Sequence, residues 1–377
     1  MATTVTEDVL RRLAGFRAAN GCAISIYLDL DPSAAPTIPE ADTKFNSVLA
    51  EAERDAEKRA DGRDCRVALR DDVERIRAWW DAEFSRDGAR GVALFASSAD
   101  GFFEALTLPD SVGDGVRVGY ELHVTPLLSQ LGRDGALVAF VSRERGTLYR
   151  FESGRLVEVA DESEDVPSQH DQGGWSQGRY QRHIEKIVQQ HLKTVAQELD
   201  RRARRAGGLQ MVVVAPEEMR RELESALSAE AREAVVGWTT AESHAGPNEL
   251  AALARPLLDA ARAREDADAI ARWEEAHGRG ERASAGWHKT LEAASDARVE
   301  VLLLEEGAPR AAWQCPQDGR GYVDGGACPL DGSELEQVED GGELAVHLTL
   351  ANGGAIVRVG SGALGGSADG IGALLRF

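Results

Sequence analysis

Gln172-Gly173-Gly174-Trp175-Ser176-Gln177-Gly178-Arg179-Tyr180-Gln181-Arg182-His183 is the stretch on which the reading of this chain turns. Two adjacent glycines reach backbone dihedrals closed to other residues and let the main chain approach another molecule closely. Trp175 is a large apolar side chain in a polar segment, so it needs a surface to pack on, either a base or the protein itself. Ser176 and Gln177 can orient water but are not strong bases. A site of this kind works by positioning a nucleophilic water and excluding bulk solvent. The plainer reading is a flexible connection that caps the helix after it.

Upstream, residues 161–178 are acidic and then glycine-rich, too polar to bury, and read as a loop. Downstream, the spacing of Ile184, Ile187, Val188, Leu192, Val195 and Leu199 predicts a long helix from about Tyr180 to Arg205 with one apolar stripe. Arg179, Arg182, Lys186, Lys193, Arg201, Arg202, Arg204 and Arg205 face only Glu185, Glu198 and Asp200 in this stretch. That local basic excess sits in a chain whose formal net charge is −21. A glycine-rich loop on a basic helix suits structured RNA, where phosphates and shape dominate recognition. The alternative is a solvated helix face with its counter-charges elsewhere.

The whole chain has 377 residues, enough for two or three domains at roughly 100–200 residues each. Its 43% hydrophobic and 28% charged content is ordinary for a globular protein. So acidic a chain is no general nucleic-acid coat. Four cysteines are too few for a disulfide scaffold, and no apolar run approaches a membrane span. Without a basic-then-apolar leader, a cytoplasmic, reduced protein is expected, with no membrane partner.

Three α/β segments are expected. Residues 1–112 hold a helix capped at Thr6, strands at Ala23–Leu30, 91–96 and Phe102–Leu108, and a helical stretch over 43–86. Residues 113–243 hold strands near 136–142, 146–151 and Arg155–Val159, the loop, the long helix, a strand at 211–215 and a helix over 217–227. Residues 244–377 hold helices at 248–264, 266–277 and 287–294, with strands at 299–304, 344–350, 355–359 and 370–377. An insertion at 313–335 interrupts this last segment.

In this order and spacing the chain resembles the archaeal–eukaryotic class I release factor superfamily, which includes Pelota. Gly173-Gly174-Trp-Ser-Gln177-Gly178-Arg179 stands where that family carries Gly-Gly-Gln. Gly278–Ala293, the strand after it and the closing 370–377 are similar to the family's last domain. The resemblance implies three domains: an N-terminal α/β domain, an RNase H-like middle domain, and a C-terminal α/β/α kink-turn-binder-like domain carrying the insertion.

It also implies a ribosomal site. Gly173 and Gly174 would enter the peptidyl-transferase centre, Gln177 would help water cleave peptidyl-tRNA, and Trp175, Arg179, Arg182 and Lys186 would contact rRNA or tRNA. A translational GTPase is the further partner it suggests. Gln177, however, lies two residues further from the glycine pair than in Gly-Gly-Gln, a shift of several ångströms along the chain. The first segment also lacks the Asn-Ile-Lys-Ser and Tyr-x-Cys-x-x-x-Phe patterns of stop-codon readers. Ribosome rescue or quality control is therefore the expectation, with a non-catalytic hibernation factor as the alternative. An unrelated RNA-binding or scaffold protein is the third reading.

Within the insertion, Cys315-Pro-Gln-Asp318-Gly and Cys328-Pro-Leu-Asp331-Gly are two copies of one knuckle. Cys315, Asp318, Cys328 and Asp331 are either a metal set of two thiolates and two carboxylates, with zinc the candidate, or a hairpin held by turns alone. No other cofactor is expected. The remaining histidines show no metal or triad spacing, and His347 reads as structural.

Overall fold

The computed structural model describes residues 5–59, 63–86, 89–130, 135–152, 154–163, 177–206, 208–307, 310–338, 340–366 and 368–377, and the side chains of 7, 55–59, 63–66 and 177–184 are not among the described ones. Mixed α/β structure runs throughout. The chain forms two compact units: residues 1–131 together with 264–377, and residues 132–263.

In the first segment, α1 (Glu7–Ala14) is capped by Thr6, whose hydroxyl accepts from the Val9 amide. The strands β1 (Ala23–Asp29), β2 (Gly91–Ser97), β3 (Phe102–Leu108) and β4 (Gly115–Gly119) form an antiparallel sheet in the order β3-β2-β1-β4. Alternation along β1 sends Ile24, Ile26 and Leu28 to one face. There they meet α2 (Ile38–Arg59) and α3 (Arg63–Ala82), into which the expected single stretch over 43–86 divides. Phe45, Trp80 and Phe84 stack in series between these helices. β4, too short to stand out in the sequence, pairs with β1 and carries this sheet past residue 112.

The middle segment builds its own five-stranded sheet. Its strands are β5 (Leu137–Val141), β6 (Gly146–Glu152), β7 (Arg155–Asp161), β8 (Met211–Val214) and β9 (Val235–Thr239), in the order β7-β6-β5-β8-β9. β5, β6 and β7 are antiparallel neighbours, while β8 and β9 add in parallel to β5. Helix α4 (Gln177–Arg205) supplies the crossover from β7 to β8, and α5 (Glu217–Ala226) and α6 (Ala229–Ala234) follow β8. Both faces of the sheet are covered. Leu137, Ala139 and Val213 pack under α4, while Val138, Phe140 and Val214 pack under Leu250, Ala254 and Leu258 of α7 (Pro247–Gly278). Near-continuous apolar strands are what such two-sided burial demands. The two expected helices at 248–264 and 266–277 are this one continuous α7.

In the last segment, β10 (Ala283–Ala285), α8 (Trp287–Ser295), β11 (Val299–Glu305), β15 (Ala355–Val359) and β16 (Ile371–Leu375) build a sheet in the order β10-β16-β11-β15. The insertion adds a three-stranded sheet of β12 (Ala312–Gln314), β13 (Gly321–Tyr322) and β14 (Glu336–Val338). Residues 344–350, expected as a strand, belong instead to helix α9 (Gly341–Ala351). Asp340 caps it by accepting from the amides of Gly342 and Glu343. Leu344, Ala345, Val346, His347, Thr349 and Leu350 are all buried, so no 3.6-residue stripe existed to mark the helix. Cys22 is disulfide-bonded, where the sequence reading expected reduced cysteines.

The first and last segments share one core, in which Leu10, Leu13, Phe95 and Leu122 meet Trp287, Leu291, Leu344 and Ile371. A polar cluster crosses the same seam. Glu343 of α9 places Oε2 2.9 Å from His123 Nδ1 and Oε1 3.1 Å from His347 Nε2. Its Oε1 also accepts from the Val124 amide at 2.7 Å. His347 Nδ1 lies 3.1 Å from the Ala14 carbonyl, and the Tyr27 hydroxyl donates to the His123 carbonyl. Burial alone would raise the Glu343 pKa, but the two histidines outweigh it and hold it well below the carboxylate range. For His347, burial works downward, yet the Glu343 hydrogen bond and charge, with Glu121 and the Ala14 carbonyl, lift it to about 9.

A histidine whose folded pKa is raised stabilises the fold fully below its unfolded pKa, about 6.5, and loses that contribution as pH climbs. Wild-type stability should therefore decline between about pH 6.5 and 9. In Glu343→Gln that slope should flatten, with stability lower by about 3–5 kcal/mol at neutral pH. Thermal denaturation of both proteins across this range checks it.

Candidate functional site

The long crossover helix is the platform of the site. Val188, Leu192, Val195, Ala196 and Leu199 of α4 are buried against the middle sheet. His191 is fully buried beside them, its Nε2 3.2 Å from the Arg145 carbonyl. Gly146 of β6 makes this approach possible, because a Cβ there would fall 2.7 Å from Val195 Cγ2 and 2.9 Å from His191 Cε1.

Gln177 is the first residue of α4, and Arg179 and Arg182 lie in its opening turns. Gly173, Gly174 and Trp175 fall outside the described residues. Positions 179, 182 and 186 recur at spacings of three and four, which puts them on one face of the helix. Lys186 is exposed. Gln177 stands eleven residues before Val188, roughly 16 Å along the axis. The head of α4 is thus held at a fixed distance from the buried anchor.

Two acidic residues of α4, Glu198 and Asp200, are engaged within the middle unit. Glu198, only 4% exposed, pairs with Arg201 and, at 2.7 Å, with Arg202, which also donates to the Val159 carbonyl. Asp200 accepts from the Ser228 amide at 2.9 Å. Arg201, Arg204, Arg205 and Lys193 are exposed along the same helix. Two of the three acidic groups are therefore turned to structural work, which leaves the helix surface predominantly basic.

The four knuckle residues come together in space. One donor atom from each of Cys315, Asp318, Cys328 and Asp331 lies within 4.8 Å of all the others. Both cysteines are free and buried, and both aspartates are exposed. Cys315 Sγ donates to Asp331 Oδ2 at 3.3 Å. The Tyr322 hydroxyl, 3.5 Å from Cys328 Sγ, holds that thiol below its usual pKa.

The sequence reading took His347 as structural, as it is, but did not join it or His123 to Glu343. His123 and His347 lie far apart in the chain, and only the packing of α9 joins them to one carboxylate. No local spacing marks such a cluster. Its groups are engaged chiefly with one another and with backbone, Glu343 Oε2 meeting His123 as an ion pair without hydrogen-bond geometry, which suits a clamp joining the segments.

Residues 123–265 match the sequence family described as bacterial archaeo-eukaryotic release factor family 10. No curated protein matches the chain. Among solved structures, the chain is similar to an archaeal translation termination factor, aRF1, at 16% identity over 99% of both chains, with a TM-score of 0.27. It is similar to Pelota of Archaeoglobus fulgidus at 14% identity over 99% of this chain and 93% of that one, with a TM-score of 0.34. With Dom34 of S. cerevisiae the identity is 12% over 76% of this chain and 80% of that one, at a TM-score of 0.39. Among the described residues no helix is long and apolar enough to cross a membrane.

The seating of α4 can be tested at its tightest point. Gly146→Ala must push Val195 and His191 off β6, an overpacking that should cost about 1–3 kcal/mol. Denaturant unfolding followed by circular dichroism should show the loss, and Ala196→Gly on the same helix should cost less, about 1 kcal/mol from helix propensity.

Proposed function

We propose, from the match of residues 123–265 to a bacterial archaeo-eukaryotic release factor family, that the chain is a ribosome-associated factor that hydrolyses peptidyl-tRNA on stalled ribosomes. The setting is rescue or quality control and not stop-codon decoding, since the first segment carries neither decoding pattern. One observation carries the reading: the residues Gly173-Gly174-x-x-Gln177 lead directly into the head of a 29-residue helix anchored deep in the middle sheet. A rigid helix with a glycine-rich tip can reach into a narrow RNA-lined site while its far end stays on the scaffold.

In this reading Gly173 and Gly174 let the main chain pass close to the peptidyl-transferase centre. Gln177 orients the attacking water and stabilises the developing oxyanion by hydrogen bonding, with no proton transfer of its own. Trp175 stacks on a base, and Arg179, Arg182 and Lys186 hold rRNA or tRNA phosphates, which makes binding salt-sensitive. The partners are rRNA and peptidyl-tRNA, with a translational GTPase as a delivering factor. No cofactor enters the reaction.

A second reading rests on Gln177 itself. It is the first residue of the helix, and two residues separate it from the glycine pair where Gly-Gly-Gln has none. That favours a factor of the same superfamily that occupies the A site of idle ribosomes without chemistry, in hibernation.

Release of peptide from stalled ribosome–peptidyl-tRNA complexes separates the two. Wild type should release peptide, and Gln177→Ala should slow release by roughly a hundredfold, the usual effect of losing one oxyanion donor. Equal rates would remove Gln177 from catalysis. Tight binding to vacant ribosomes with no release by either protein would establish the second reading.

A further inference from the structure

The two knuckles of the insertion are the same structure built twice. In the first, the Gly319 amide donates to the Cys315 carbonyl at 2.9 Å and the Cys315 amide donates to the Arg320 carbonyl at 2.9 Å. In the second, Gly332 donates to the Cys328 carbonyl at 2.9 Å and Cys328 donates to the Ser333 carbonyl at 2.7 Å. Both glycines take the left-handed conformation, with φ of 76° and 78°. In each, backbone amides two and three residues on from the cysteine hydrogen-bond to its sulfur. These amides point at the sulfurs as donors, although burial still pushes the Cys315 thiol up. Two separate turns therefore aim a sulfur and a carboxylate at one point.

The core of the insertion is the second observation. Its buried members are Cys315, Cys328 and Leu335, with Trp313 and Tyr322 packed at the side. One side of the small sheet rests on the last segment through Ala312, Val323 and Val338, but the outer lobe that carries the knuckles has only these three buried residues, and small elements of this kind gain from a staple. Four acidic groups also converge here without a basic partner in the set. The nearby Arg320 guanidinium is bound to Asp296 at 2.6 Å.

We propose that Cys315, Asp318, Cys328 and Asp331 form a tetrahedral site for a thiophilic divalent cation, zinc in the first place, that staples the insertion. The donors already lie within 4.8 Å of one another, and tetrahedral coordination by thiolates needs separations of about 3.8 Å, a closure that side-chain rotation supplies. The sulfurs exclude calcium and magnesium, which take all-oxygen shells. Binding displaces the proton that Cys315 shares with Asp331: one zinc ion, two thiols and two carboxylates give the bound complex and two released protons. The site is closed, with no position for substrate, so its role is structural. It does not depend on the ribosomal reading above.

The test uses the full chain purified under reducing conditions without chelator. Elemental analysis should find one zinc per chain. After exchange, cobalt(II) should give the visible absorption of a tetrahedral ion and a sulfur-to-cobalt charge-transfer band. Cys328→Ser should lose both, and Asp331→Asn should lose stoichiometric zinc while keeping the far-ultraviolet circular dichroism of wild type. Asp318→Cys should hold zinc against higher chelator concentrations. Wild type that carries no stoichiometric metal and shows no cobalt bands at micromolar ion would overturn the proposal. So would thiol titration finding Cys315 and Cys328 joined as a disulfide in that preparation, or zinc retained undiminished by Cys328→Ser.

Discussion

The carboxylate of Glu343 is the constraint on which the larger unit depends. A carboxylate removed from water is costly unless charge and hydrogen bonds replace the water. Here the replacements come from three places: His347 on the same helix, His123 in the stretch after β4 that belongs to the same compact unit, and the Val124 amide beside it. None is complete without the others. Only when α9 packs against α1 and the first sheet does Glu343 find its partners, so the first and last segments of the chain are specified as one body. The apolar core across the seam supplies the bulk of the burial, and the polar cluster selects its register.

That joint explains what was legible in the sequence and what was not. Strands such as Ala23–Asp29 and Met211–Val214 declared themselves by apolar runs bounded by turns, and α4 by its stripe from Val188 to Leu199. Those elements satisfy a local rule. Helix α9 obeys none, because it is buried on every side and its β-branched and leucine residues imitate a strand. The strand Gly115–Gly119 has only the pairing with β1 to define it. The contact of His123 with Glu343 is settled by tertiary packing over more than two hundred residues, where no motif operates. The knuckles sit at the other extreme: a five-residue pattern repeated twice was visible at once, and the fold adds the convergence of its four donors.

The candidate site shows a division of labour between charge and shape. The chain is acidic overall, yet α4 commits Glu198 and Asp200 to its own framework. What faces outward is the basic remainder. A long-range field that is negative together with a short-range basic ridge disfavours indiscriminate nucleic-acid binding and admits a partner that fits the ridge.

The helical start at Gln177 then becomes the informative detail. A residue in a loop can move independently of the fold; one at the first position of a helix has its backbone placed by the axis, and the axis is inherited from the seating of Val195 on Gly146. Reach and aim are thus set by packing some 16 Å or more away from the tip. If the amide meets the ester, the helix is the positioning device of a hydrolase, and small errors in its seating are amplified into lost rate. If it does not, the same rigid arm is an anchor. The two functions differ by the aim of one side chain and not by the fold that carries it.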